Sequence, residues 1–418
     1  MHAANASSPK PSRLRWLARH LLRFTLVCLL LLGPNLVFFG IWAWPKQPIP
    51  TVDAASDEHF AAESLSAQHA AALLAALRES REQAGLVSLS AAVAFDGRLQ
   101  WAGATGWADV ERALPASIAS RYRTGSVAKS LTAVAMMRLV DAGQLGLDDP
   151  LSAHVEGLPA HLQPLTAGLL ASHRAGVRHY SRIPSWWMGW HEGFSRTEYA
   201  SVADGLAVFA DDELRFAPAT DYHYTTFGYS LLARLLEGAS GTSFEQVLQQ
   251  QLFAPADMRD TTVDRAGPMQ TRVAFYQAGG GRFTPAYPIN SSAKIAGGGM
   301  VSTPSDLARL GQALLGDALL SADAKQAMFT PQALADGRMN PENYALGWRV
   351  DTSVRLLGED RPTPIIHHGG IQPGGTAFLM LLPEFGITVA VMSNSGTSAA
   401  RTDVQEAAYA LARQVIAR

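Results

Sequence analysis

The sequence predicts an α/β fold: an antiparallel sheet flanked by helices, with a helical subdomain inserted into it. Three observations carry that prediction. An Asp96-Gly97 turn joins two β-prone runs, 86–95 and 99–107, early in the chain. Three more such runs, 365–368, 377–382 and 387–392, lie near its end. Between them, roughly residues 150–290 read as helices separated by loops rich in Pro and Gly. Strands at both ends with helices between them make one sheet built from both termini. The 418 residues are 48% hydrophobic and only 17% charged, which excludes a disordered chain.

The elements follow in order. Residues 1–52 hold six basic side chains and no acid, so a net charge of −2 conceals a +6 opening and a −8 remainder. Residues 24–44 are uncharged and, as a helix, would rise about 30 Å, enough to span a hydrocarbon core. Arg13, Arg15, Arg19 and Arg23 precede the run, and Trp42 and Trp44 close it. That pattern predicts a cytoplasmic tail at 1–23, a single-pass signal-anchor at 24–44, and a bulk on the non-cytoplasmic side, the periplasm if the host is bacterial. Cleavage is disfavoured, because Ile41-Trp42-Ala43 before Trp44-Pro45 is a poor site. The proline-rich residues from 45 read as a stiff spacer reaching to 62.

A domain at 63–418 then opens with a helix at 63–83, ending near Gly85. After the hairpin comes an apolar helix at 126–142. The middle carries helical stretches at 201–209, 229–237 and 244–252, and a last helix covers 402–416. The aromatic cluster Trp186-Trp187-Met188-Gly189-Trp190 reads as packing for the inserted region, or else as a cleft wall or a surface that meets the membrane or a partner.

Several chemistries are excluded. Near-neutral charge gives no reason for a nucleic-acid partner. The single cysteine, Cys28, rules out an intramolecular disulfide framework and a thiolate-rich metal cluster. No G-x-S-x-G, H-E-x-x-H, P-loop or G-x-G-x-x-G is present, and no cofactor is expected. What remains is Ser-x-x-Lys, three times: Ser7 with Lys10, Ser126 with Lys129, Ser291 with Lys294. Only the second opens an apolar helix, where a spacing of three puts both side chains on one face.

A serine nucleophile needs a neighbouring base, and a lysine serves only if burial or nearby positive charge lowers its pKa. Arginine cannot serve, because it keeps its proton. This chain has five lysines against 29 arginines and spends one of the five at 129. The competing reading is an exposed lysine on a surface helix after a capping serine. This segment alone leaves the two balanced.

Later segments break the balance. Tyr224-Thr225-Thr226 precedes a helix, and His367-His368-Gly369-Gly370 sits on a short strand. With Ser126-Val127-Ala128-Lys129 they stand in the order S-x-x-K, Y-x-N, K-T-G or H-x-G. In this the sequence resembles the serine β-lactamase and penicillin-binding-protein-like hydrolases, near their class C branch. Leu170–Gly176 resembles L-L-S-H-T-S-G, departing at Arg174 and Ala175; Phe216-Ala217-Pro218 resembles F-x-P-G, with Ala219 for glycine. Residues 296–309 resemble A-G-G-x-x-S-T-x-x-D-L-A-R. The likeness spans about 86–395, and its details resemble the mitochondrial serine β-lactamase-like branch and its bacterial relatives.

The resemblance implies a β-lactamase/transpeptidase-like fold and a serine hydrolase working through an acyl-enzyme. Ser126 would attack a carbonyl, Lys129 would take its proton, and Tyr224 would share the acid/base work. It puts the oxyanion hole at the N–H groups of Ser126 and Gly370. His367, followed by His368 and Gly369, would replace the family's lysine, binding a carboxylate or tuning Tyr224. His368-Gly369-Gly370 also satisfies H-x-G, but the H-T-G-G form favours His367. Thr226 stands where Asn is commoner, and one hydroxyl cannot donate and accept as an amide can. Expected partners are a small peptide or ester substrate and, through the N-terminal helix, a membrane; oligomerisation stays open. The rival readings are a true β-lactamase or D-alanyl carboxypeptidase, and a scaffold or filament-forming protein that keeps the fold.

Overall fold

The computed structural model describes residues 13–43, 45–180, 192–267 and 269–417. The 186–190 aromatic cluster lies outside them. The chain enters through helix α1 (Arg13–Phe38), which runs into a π-helical turn, Phe39–Ala43. Arg15–Gly33 is long and apolar enough to cross a membrane, and Leu30 is 77% exposed. The helix thus starts inside the stretch expected as a tail, because Arg and Leu propagate a helix and nothing from 13 to 23 breaks it.

The expected spacer is extended but docked. Strand β1 (Gln47–Pro48) lies antiparallel to a strand near residue 283, and β2 (Glu58–Ala61) joins the main sheet. Helix α2 (Ala67–Ala84) is capped by Ser66, whose side chain accepts from His69 N, and is closed by Gly85 at φ +61°. Strands β3 (Ser88–Phe95) and β4 (Arg98–Asp109) meet at Asp96 and Gly97, both with positive φ, as a tight two-residue hairpin requires. Short β5 (Leu114–Pro115) pairs with β4. Strand β6 (Tyr122–Arg123) then leads into α3 (Val127–Asp141).

The inserted region carries α4 (Ala167–Ala171), α5 (Val202–Leu206), α6 (Phe227–Ser240) and α7 (Phe244–Leu248). It is less purely helical than expected. It also holds β7 (Thr262–Val263) and a hairpin of β8 (Tyr276–Gly279) and β9 (Arg282–Pro285), to which β1 pairs. Gly280 and Gly281, both at positive φ, are the turn of that hairpin. Helix α8 (Ile295–Gly298), β10 (Met300–Ser302), α9 (Pro304–Leu315) and α10 (Ala322–Phe329) return the chain to the sheet. There β11 (Arg349–Ser353), β12 (Thr363–Gln372), β13 (Gly375–Leu382) and β14 (Ile387–Ser393) form a meander, followed by α11 (Ser398–Ile416).

The sheet runs β11-β12-β13-β14-β3-β4-β2, antiparallel throughout, so β14 beside β3 unites the two ends of the sequence. Period-two patterning divides its faces. Phe378, Met380 and Leu382 of β13 and Val389 and Val391 of β14 pack with α2 and α11. Ala377, Leu379 and Leu381, with Ala390 and Met392, pack with α3, α9 and the inserted helices. Both faces are covered, which is why these strands read as nearly continuous apolar runs.

Candidate active site

Backbone meets backbone where α3 begins. A Cβ on Gly125 (φ +49°) would lie 2.6 Å from Ile371 N, and one on Gly370 would lie 2.0 Å from Thr124 O and 2.8 Å from Ser126 N. Glycine at both positions lets the edge of β12 press against the turn carrying Ser126. The Ser126 side chain makes no capping bond to α3, and Lys129 is fully buried. The capping serine with an exposed lysine is therefore ruled out.

Lys129 Nζ lies 2.7 Å from Gly297 O, 3.1 Å from Thr226 Oγ1 and 3.3 Å from Ser126 Oγ. Burial drives its pKa well below 10.5, and the positive charges of Arg349 and Lys294 push the same way. A neutral amine has two N–H bonds and one lone pair. Gly297 O can only accept, so it takes one N–H; Thr226 Oγ1 takes the other, and the lone pair is left for the Ser126 hydroxyl. Thr226 supplies the acceptor that Lys129 needs, a task within the reach of a single hydroxyl.

Tyr224 lines the cleft with Ser126; burial raises its hydroxyl to about 12, against a smaller lowering by the Ser126 hydroxyl. Two histidines fix its loop: His173 Nδ1 accepts from Thr225 N at 3.2 Å, and His179 Nδ1 accepts from Thr226 N at 3.1 Å. His173 also packs its ring 4.4 Å from that of Tyr224, and burial lowers its pKa well below 6.5. It acts as a neutral structural acceptor, as a histidine in an aromatic nest must.

Two expectations on β12 need correction. His367 does not face Tyr224: its Nε2 lies 2.8 Å from Asp351 Oδ2 and its ring packs on Phe378, toward α11. Successive strand residues point to opposite faces, so His368 takes the Tyr224 side. Its ring lies 6.4 Å from that of Tyr224, and its Nε2 is 2.9 Å from Tyr344 Oη. His367 still lines the cleft rim.

The second correction concerns Gly370. Val350 N bonds Asn343 O, so the exchanging pair between β11 and β12 is Arg349 with His367. Counting along β12, Gly370 turns its N–H to Ala377 of β13, while the N–H groups of Gly369 and Ile371 point to the open edge. The free donor beside Ser126 is Ile371 N. Motif matching locates this segment but cannot settle a one-residue parity.

A cleft of about 770 Å3 joins Ser126, Tyr224, Thr226, His367 and Gly369 with residues that motifs missed. Arg349 is one: its guanidinium lies 5.5 Å from the centre of the Tyr224 ring and pairs with Glu342, which also accepts from Tyr222 Oη. It follows Trp348 in no recognisable pattern. Lys294 is another, and its Ser-x-x-Lys spacing is a signal that could have found it.

Comparison with known proteins agrees with this architecture. The family model described as beta-lactamase matches residues 71–414. Serine beta-lactamase-like protein LACTB, mitochondrial, of Homo sapiens is 26% identical, covering 74% of this chain and 71% of its own length. Penicillin-binding protein 4* of Bacillus subtilis is 27% identical, covering 69% of this chain and 64% of its own. Among solved structures, the octameric penicillin-binding protein homologue from Pyrococcus abyssi superposes with a TM-score of 0.68 at 23% identity, over 83% of this chain and 77% of that one.

Proposed function

Because this chain belongs to the beta-lactamase family, we propose that it is a membrane-anchored serine hydrolase that forms an acyl-enzyme on peptide or ester substrates. The observation that carries the reading is buried Lys129 Nζ, 3.3 Å from Ser126 Oγ with Gly297 O and Thr226 Oγ1 as its other two contacts, which as a neutral amine leaves its lone pair for the serine. Ser126 Oγ adds to the carbonyl carbon as its proton passes to Lys129. The developing oxyanion sits between the N–H groups of Ser126 and Ile371, each worth about 3 kcal/mol in the transition state. Tyr224 delivers a proton to the leaving oxygen or nitrogen, that bond breaks, and acyl-Ser126 remains. Water then adds to the acyl carbon, giving its proton to the Tyr224–Lys129 pair, and Ser126 leaves with a proton returned from it. A fluorophosphonate probe should label the full chain, and Ser126→Ala should abolish labelling; undiminished labelling of the variant would refute the nucleophile.

A second reading, a true β-lactamase or D-alanyl carboxypeptidase, draws support from the relative named a penicillin-binding protein. Thr226 argues against it, since its hydroxyl is engaged by Lys129 and offers no amide to the substrate. Nitrocefin turnover at ordinary enzyme rates would favour this second reading over the first.

A further inference from the structure

The third Ser-x-x-Lys copy reaches the same cleft as the second. Lys294 is 6% exposed and precedes α8, the short helix whose Gly297 carbonyl holds Lys129. Its Nζ donates to Gly193 O at 2.7 Å and lies 5.7 Å from the centre of the Tyr180 ring. Among the described residues it makes no ion pair. Lys294 lines the cleft and also an adjoining cavity of about 350 Å3, walled by Tyr180, Phe194, Tyr199, Phe227 and Tyr287. Glu192 borders that cavity too, but it is taken up by Arg178 at 2.7 Å.

We propose that Lys294 and this aromatic cavity bind an anionic part of the substrate, a carboxylate carried on an apolar or aryl arm. An ammonium has three donors, and the carbonyl of Gly193 uses one. A buried cation without a counter-ion is costly, and a carboxylate reaching Nζ from the cleft would offset that cost with a charge-assisted bond. Arg196 and Asn290 line this cavity too, but Arg196 is exposed, so Lys294 is its buried cation, and a single buried ammonium suits a monoanion. Burial lowers the Lys294 pKa to about 7, so carboxylate binding would restore its charge near neutrality. In an arginine-rich chain, the residue here is the compact cation with flexible reach.

Calling the ligand a substrate rests on the hydrolase reading; the binding itself does not. Calorimetric titration of the full chain carrying Ser126→Ala separates the two, because no turnover is needed. 4-Phenylbutyrate should bind about tenfold more tightly than 4-phenylbutanamide, the worth of one hydrogen bond to a charged group. Adding Lys294→Gln, which keeps a donor for Gly193, should erase that difference. Equal binding of the two probes, or a preference that survives Lys294→Gln, overturns the proposal. Failure of the hydrolase reading would appear elsewhere, in unaltered probe labelling of Ser126→Ala.

Discussion

At the scale of single residues, Lys129 is the side chain with the most opposed demands. Burial lowers its pKa, so from 10.5 downward the unfolded chain binds a proton that the folded chain does not. Stability therefore falls as pH drops from 10.5 toward the lowered pKa of the folded chain. Lys129→Met should abolish hydrolysis yet raise Tm at pH 7, with the gain shrinking as pH approaches 10.5. A lower Tm at pH 7 would contradict the burial cost. Activity has the same root: it should rise with pH as Lys129 loses its proton, on a limb well below 10.5, and should persist until Tyr224 ionises near 12. Arg349 helps hold that limb down by like-charge repulsion, so Arg349→Met should move it to higher pH in a kcat/KM profile.

Elements set what residues can reach. The loop before Tyr224 returns on itself through Ala219 N to Arg174 O and His223 N to His173 O. Ala219 there adopts φ +68°, the left-handed region where the resembling motif has glycine. Ala219→Gly should stabilise the chain by about 0.5–1 kcal/mol in chemical denaturation; an unchanged or lower midpoint would show that the turn bears no strain. On β12, the strand and its glycines are legible from the sequence, but the pairing that assigns His368 to one face and Ile371 N–H to the edge is not. Gly370→Ala should cost most of the activity, because its Cβ would collide with Thr124 O and lift the edge off Ser126. Full probe labelling of that variant would disprove the close approach.

For the molecule as a whole, the membrane reading predicts a partition. Removing residues 1–45 should move the protein from the membrane fraction to the soluble one while Ser126 still labels; retention in the membrane would exclude α1 as the anchor. Residues 46–50 belong with the domain, since Lys46 N and Ile49 N bond Phe283 O and Gly281 O, and Trp107 Nε1 donates to Pro50 O. A version starting at 60 should therefore melt lower than one starting at 46.

The sequence by itself determined the sheet of two termini, the order Ser126, Lys129, Tyr224, and the scarcity of lysine that made position 129 conspicuous. The first is written in local periodicity, the second in motifs that resemble a known family, and the third in composition. Only the tertiary structure decided which histidine of β12 faces Tyr224, which N–H lies free beside Ser126, and that Lys294 and Arg349 stand around the same cleft. Each of those depends on strand parity or on contacts between segments far apart in the chain, and a spacing read along one segment carries neither.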